Sequence, residues 1–334
     1  MDNLNNNTSI LQKLTALWAL SESGLGGFMH ALKIPFTGFF LGGFAIVIIT
    51  LIAHESKQKS KSILQATLLV ILVKAIASPH SPPMAYIAVA FQGLVGLCCF
   101  TIIPNLRIAA ALFGLIALME SAVQKFLVMT LIFGESLWNA LDLFVKSILK
   151  DFSLIGNFSF SFWLIVLYTG IYSIWGLIVG IWAGGLPNKL NKKADEVLHQ
   201  FKTIEVNQIQ LNINKKNKRN GKLIGLFFMM IFIASVFLFQ GFGGKATYAI
   251  IRSLAALILL FYVVNPIVKW AIKKWATKQQ NAKNKQVTLL LDLMPNMRSK
   301  ITPALQIART QNTGLKVYPA FVVNLIVLSI YHTY

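Results

Sequence analysis

Long apolar runs separated by short polar stretches dominate the pattern along the chain. Residues 35–53, 63–77, 84–103, 108–133, 154–186, 223–241 and 246–268 are such runs, on the scale of the roughly 20 residues a helix needs to cross a bilayer. Residues 10–33 are also mostly apolar but carry Lys13, Ser21, Glu22, Ser23, Gly24, Gly26 and Gly27. Small residues let helices approach closely, so this stretch reads as a span packed inside a bundle; a surface helix followed by a turn is the other reading. Residues 317–331 are apolar and only marginally long enough to cross. The pattern therefore predicts an all-α fold, a polytopic transmembrane helical bundle. It has about six spans up to residue 186 and two or three after it.

Two interruptions stand out. Between the runs 63–77 and 84–103 lies Ser78-Pro79-His80-Ser81-Pro82-Pro83. Proline lacks an N–H and pushes the residue before it out of the helical region. Polar side chains at membrane depth are costly unless buried in protein or facing a wet cavity. The segment is either a turn near the surface or the wall of a ligand pocket. In the second, residues 134–152, Leu137, Trp138, Leu141, Phe144, Val145, Ile148 and Leu149 recur at helical spacing. Asn139, Asp142, Lys146 and Lys150 fall on the opposite face. That pattern suits a helix lying along the membrane interface, or one that only closes a connection.

Composition sharpens this picture. Hydrophobic residues make up 56% of the 334 and charged residues 13%, against about a quarter charged in soluble domains. The formal charge of +20 is concentrated in residues 57–61, 189–222 and 269–285, between apolar runs. This is the distribution of the positive-inside rule and of contact with anionic headgroups; it does not point to nucleic acid. A cytosolic partner is the competing reading. With the basic loops in the cytoplasm of a cell (inner) membrane, the Pro79 segment and residues 134–152 lie toward the outer face. The N-terminus is then cytoplasmic if residues 10–33 span. Residues 1–186 form a six-span membrane domain and 187–222 a basic cytoplasmic linker with nine basic and three acidic residues. Residues 223–334 form a C-terminal membrane domain with cytoplasmic helices. Cys98 and Cys99 are adjacent and suit packing better than pairing or metal binding.

No phosphate loop, zinc-helix motif or cofactor pattern is present, so the chain reads as neither an ATP motor nor an enzyme. Glu120 is the conspicuous carboxylate, at the end of an apolar run with Gln124 one turn on. It is either a functional intramembrane carboxylate or half of an interfacial pair with Lys125 or an arginine. His80 could orient a polar ligand or cap the helix that follows. Tyr86, Gln92, Trp163 and Tyr168 could line a largely apolar pocket with a few polar anchors; belt positions are the other reading of the aromatics.

Leu32-Lys33-Ile34-Pro35-Phe36-Thr37-Gly38, together with the stretch from Ser78 to Gly96 that ends Gln92-Gly93-Leu94-Val95-Gly96, resembles the substrate-binding membrane subunits of energy-coupling-factor (ECF) vitamin importers. The resemblance covers just over half the chain and implies a vitamin-like ligand bound on the outer side. It carries Pro79, His80, Tyr86 and Gln92 into the pocket; Glu120 and Trp163 join them by polarity and position. The C-terminal third departs from those compact subunits. Its Ala308-Arg309-Thr310 resembles the tripeptide by which the scaffold subunit of the same systems docks on ATPases, present here once where two are expected. The implied partners are the lipid bilayer, a small-molecule substrate, cytoplasmic ATPase subunits and a scaffold subunit. An integral-membrane enzyme of a lipid pathway, using His54, Glu55 and the basic surface, and an accessory scaffold are the alternatives.

Overall fold

The computed structural model describes residues 2–26, 37–78, 81–151, 159–208, 253 and 255–332. The described helices are α1 (Asp2–Leu20) with a π-helical turn at Ser21–Leu25, α2 (Thr37–Glu55), α3 (Lys59–Ala77), α4 (Pro83–Ile102) and α5 (Leu106–Phe133). They continue with α6 (Glu135–Asp151), α7 (Phe160–Gly184), α8 (Leu186–Gln208), α9 (Asn265–Ser299), α10 (Ile301–Gln311) and α11 (Val317–Tyr331). No strand occurs among the described residues. Among the described residues, seven stretches are long and apolar enough to cross a membrane: Gly38–Glu55, Lys59–Ala77, Pro83–Ile102, Leu106–Phe133, Phe160–Gly184, Ala255–Trp275 and Gly314–Tyr331. The chain is a multi-pass, all-α membrane protein. The apolar run 223–241 lies outside the described residues.

The short connection between Glu55 and Lys59 marks one end of the bundle, referred to below as the basic end; Lys74, late in α3, marks the other. α1 runs between them. Ile10 and Leu14 line a small cleft with Glu55, Pro187 and Tyr331, and Glu22 meets Lys74. The 12 steps from residue 10 to residue 22 rise about 18 Å. Leu14, Ala16, Leu17, Trp18 and Ala19 are all buried, as expected of a helix enclosed on every side. α2, α3, α9 and α11 surround it. α1 is less apolar than the seven spans because it faces protein over this stretch, where close packing takes the place of lipid.

The α5–α7 pair is the most closely packed in the bundle. Gly176, Gly180 and Gly184 form a stripe along α7, and a Cβ on Gly180 would meet the Ala110 carbonyl and the Ala111 Cα. Glycine is required there because backbone meets backbone. On the opposite face of α7, Leu167, Ile171, Ile174, Ile178 and Ile181 are exposed, as befits a helix side turned to lipid. α5 begins at Asn105, whose side chain accepts from the N–H groups of Arg107 and Ile108 at 3.0 and 3.3 Å, an N-cap.

α6 confirms the helical periodicity of residues 134–152. Leu143 and Phe144 are exposed, and Asp142 caps α7 from this neighbouring helix. The Ser161 N–H donates to Asp142 Oδ1 at 2.6 Å, and the Ser159 and Ser161 hydroxyls donate to Oδ2 at 2.9 and 3.0 Å. The Ser161 N–H foremost, with both hydroxyls and Lys146, holds the carboxyl below its ordinary range.

At the basic end, α8, α10, α11 and the second half of α9 form one packed layer. α11 is buried from Val323 to Ile330, enclosed by α1, α8 and α10. α9 bends at Lys283, and Gln65 Nε2 of α3 donates to Gln286 Oε1 at 3.2 Å. Residues 187–208 of the basic segment are thus helical and packed, with Val197 and Phe201 buried.

Candidate functional site

Buried polar groups occur at both ends of the bundle: Ser56, Lys300, Asn324 and Ser329 at the basic end, and Ser21, Glu22, Ser23, Lys74 and Ser81 at the other. α3 stops at Ser78, whose carbonyl accepts from the Ser81 N–H at 3.0 Å, while the two serine hydroxyls share a hydrogen bond at 2.9 Å. α4 restarts at Pro83, in the first-turn position where a missing N–H costs nothing. Ser78 and Ser81 thus close on each other between the two helices; Pro79 and His80 lie outside the described residues. Tyr86, one turn into α4, is buried and donates its hydroxyl to the Ser78 carbonyl at 3.4 Å.

Beside this turn sits an ion pair absent from the sequence-based site. Lys74 Nζ donates to Glu22 Oε2 at 2.7 Å, with side-chain exposures of 2% and 6%. It also reaches the Ala85 carbonyl at 3.4 Å and stands 5.9 Å from the Tyr86 ring centroid. The pair joins α1 to α3 and places a charge against the aromatic that packs on the turn. The available signal was one charge of each sign inside two apolar stretches, since an intramembrane charge calls for a named partner.

Gln92 lies elsewhere in the interior, and Glu120 is partly buried. Gln92 is 3% exposed, and its Nε2 lies 3.5 Å from where a Gly42 Cβ would stand. That puts it where α2, α4 and α5 meet. Its Oε1 and Glu120 Oε2 are buried and have no hydrogen-bond partner among the described residues. Lys125 makes no pair with Glu120: its Nζ donates to the Tyr168 hydroxyl at 3.4 Å and lies 5.3 Å from that ring's centroid. Gln124, on the Glu120 face, donates to the Met84 carbonyl at 3.3 Å. Trp163 is 52% exposed, with its ring against Phe162 on the outer side of α7. The structure thus gathers Tyr86 with the turn and sets Gln92 and Glu120 on facing helices. Trp163 is turned away from both.

At the basic end, Ala308 is buried while Arg309 and Thr310 are exposed. α10 thus presents two of the three tripeptide residues on its outer face. Lys13 Nζ donates to the Ile330 carbonyl at 2.7 Å and Lys300 Nζ to the His332 carbonyl at 2.9 Å. These lysines satisfy carbonyls at and just beyond the end of α11 that the helix itself leaves unpaired. Burial, with the nearby Lys13 charge adding to it, pushes Lys300 down to about 8. Glu55 lines the cleft near Tyr331, whose hydroxyl donates to Asn191 Oδ1 at 3.0 Å. Among the described residues no group of three or more His, Cys, Asp or Glu side chains could hold a metal.

No protein-family model, curated protein or solved structure matches the chain.

Proposed function

We propose that the chain is the substrate-binding membrane component of a small-molecule uptake system, driven by separate ATPase subunits. The observation that carries this reading is the division of chemistry between the two ends of the bundle. A buried Glu22–Lys74 ion pair with Tyr86 against it lies at one end, and Gln92 and Glu120 lie further along α4 and α5. At the other end, α8, α10 and the second half of α9, which carry basic residues, pack in one layer with the apolar α11. By the positive-inside rule the basic layer and the start of α1 face the cytoplasm, which turns the Ser78–Pro83 end outward. The resemblance to ECF substrate-binding subunits agrees with a ligand held at that outer end. Exposed Arg309 and Thr310 on α10 are then the groups available to ATPases or a scaffold subunit.

The test is purification of the tagged full-length protein from its own membranes, with identification of what accompanies it. An ATPase pair is expected, together with ATP-dependent uptake in vesicles, and both should be lost in Arg309→Glu without a change in the melting temperature of the bundle. Recovery of a lipid-pathway enzyme and no ATPase would favour the accessory role instead.

A further inference from the structure

Of the buried oxygens without a hydrogen-bond partner among the described residues, Gln92 Oε1 and Glu120 Oε2 stand on adjacent helices α4 and α5, and both are acceptors. Packing of α4 against α5 fixes their relative height. Gln124 bonds Met84, and the Phe113 ring lies 3.4 Å from where a Gly96 Cβ would stand, so the helices run antiparallel. One turn back along α5 and one turn on along α4, Glu120 comes level with Ala88. Gln92 follows one turn further, about 6 Å along the axis.

Among the described residues, the last lysine of α3 and the lysine of α5 have other partners. Lys74 is held by Glu22, and Lys125 sits over the Tyr168 ring. Among the described residues Glu120 has no cation within salt-bridge distance. A carboxylate at membrane depth without a counter-charge is costly, and a buried acceptor without a donor adds to that cost. An anionic ligand would meet Glu120 with like charge. A hard metal ion asks for six or more oxygens, far more than these two side chains supply.

We infer that the α4–α5 wall takes a small organic cation bearing N–H donors: a protonated amine, an amidine or an amino-heterocycle. Glu120 is its counter-ion and Gln92 Oε1 its second acceptor. The inference rests on the uptake reading and narrows its substrate class.

The test uses the full-length protein in lipid nanodiscs, with melting followed in the presence of six probes at millimolar concentration. Thiamine and agmatine are the cations, riboflavin and nicotinamide the neutral compounds, and biotin and pantothenate the anions. A ligand bound only by the folded state raises the melting temperature. A cation is expected to do so, and Glu120→Gln should weaken its binding about ten- to hundredfold, the scale of one charge-assisted hydrogen bond. Gln92→Met should weaken it to a smaller extent, and both variants should melt close to the parent without ligand. Stabilisation by neutral or anionic probes alone overturns the inference and leaves the uptake reading standing. A cation effect undiminished in Glu120→Gln overturns it as well. If no probe acts on a protein that still brings down ATPases, this substrate class fails alone; if no ATPases appear either, both readings fail.

Discussion

Replacing Lys74 by methionine keeps most of the side-chain volume and removes its charge, stranding the Glu22 carboxylate, whose side chain is 6% exposed, among packed helices. Two unit charges about 4 Å apart attract by about 4 kcal/mol at an effective dielectric near 20. Breaking a buried pair from one side costs about 3–5 kcal/mol, because the remaining charge is stranded. Against a total stability of about 5–15 kcal/mol this is a large fraction. Glu22→Met should cost a similar amount by stranding Lys74, whose remaining contact, the Ala85 carbonyl at 3.4 Å, is long. The double variant removes both charges and should recover to within about 1 kcal/mol of the parent or exceed it, since apolar replacement of a buried pair is often neutral or stabilising. The assay is equilibrium unfolding of all four proteins in mixed micelles, assembled as a double-mutant cycle. Single variants each costing under about 1 kcal/mol, or a double variant as unstable as the sum of the two, would refute the claim that the pair is buried and mutually dependent.

Three further outcomes follow from other parts of the bundle. Gly180→Val places a branched side chain against the backbone of α5 at Ala110 and Ala111; it should destabilise the fold by at least about 1–3 kcal/mol, seen as a lower melting temperature, whereas the same change at exposed Ile178 should have little effect. The Asp142 carboxyl is held below its ordinary range, so the attachment of α6 is complete above about pH 4 and is lost as pH falls below it. Trp138 fluorescence should report that release on acidification, and Asp142→Asn should weaken the attachment at neutral pH. For Lys300 the sign is reversed. Its folded value is about 8 against an ordinary 10.5, so the unfolded chain binds more protons between these values and stability rises with pH across that window. Melting measured from pH 7 to 10.5 should show the rise, and Lys300→Met should flatten it.

Much of the architecture was legible along the chain because lipid imposes a length and a composition on any helix it surrounds. The runs around α2 to α5 and α7 declare themselves this way, and the periodicity of residues 134–152 gave α6. α1 was harder to read, since protein neighbours tolerate polar and small residues that lipid would not. The same difference separates the site residues. Tyr86 and the Ser78–Pro83 turn are adjacent in sequence, so proline chemistry sufficed to suggest them together. Lys74 and Glu22 are 52 residues apart, and neither alone reveals which charge it meets.

The sequence alone determined that this protein is an all-α membrane bundle whose positive charge is gathered between its apolar runs. It also determined that the Ser78–Pro83 segment must break a helix, because missing N–H groups and fixed proline angles act locally. Tertiary structure alone decided what that break sits beside: a buried Glu22–Lys74 pair with Tyr86 against it. It also decided that Lys125 leaves Glu120 for Tyr168, and that α11 packs among α1, α8 and α10 at the basic end. These are outcomes of which helix faces meet, and that is set by close packing between segments far apart in the chain.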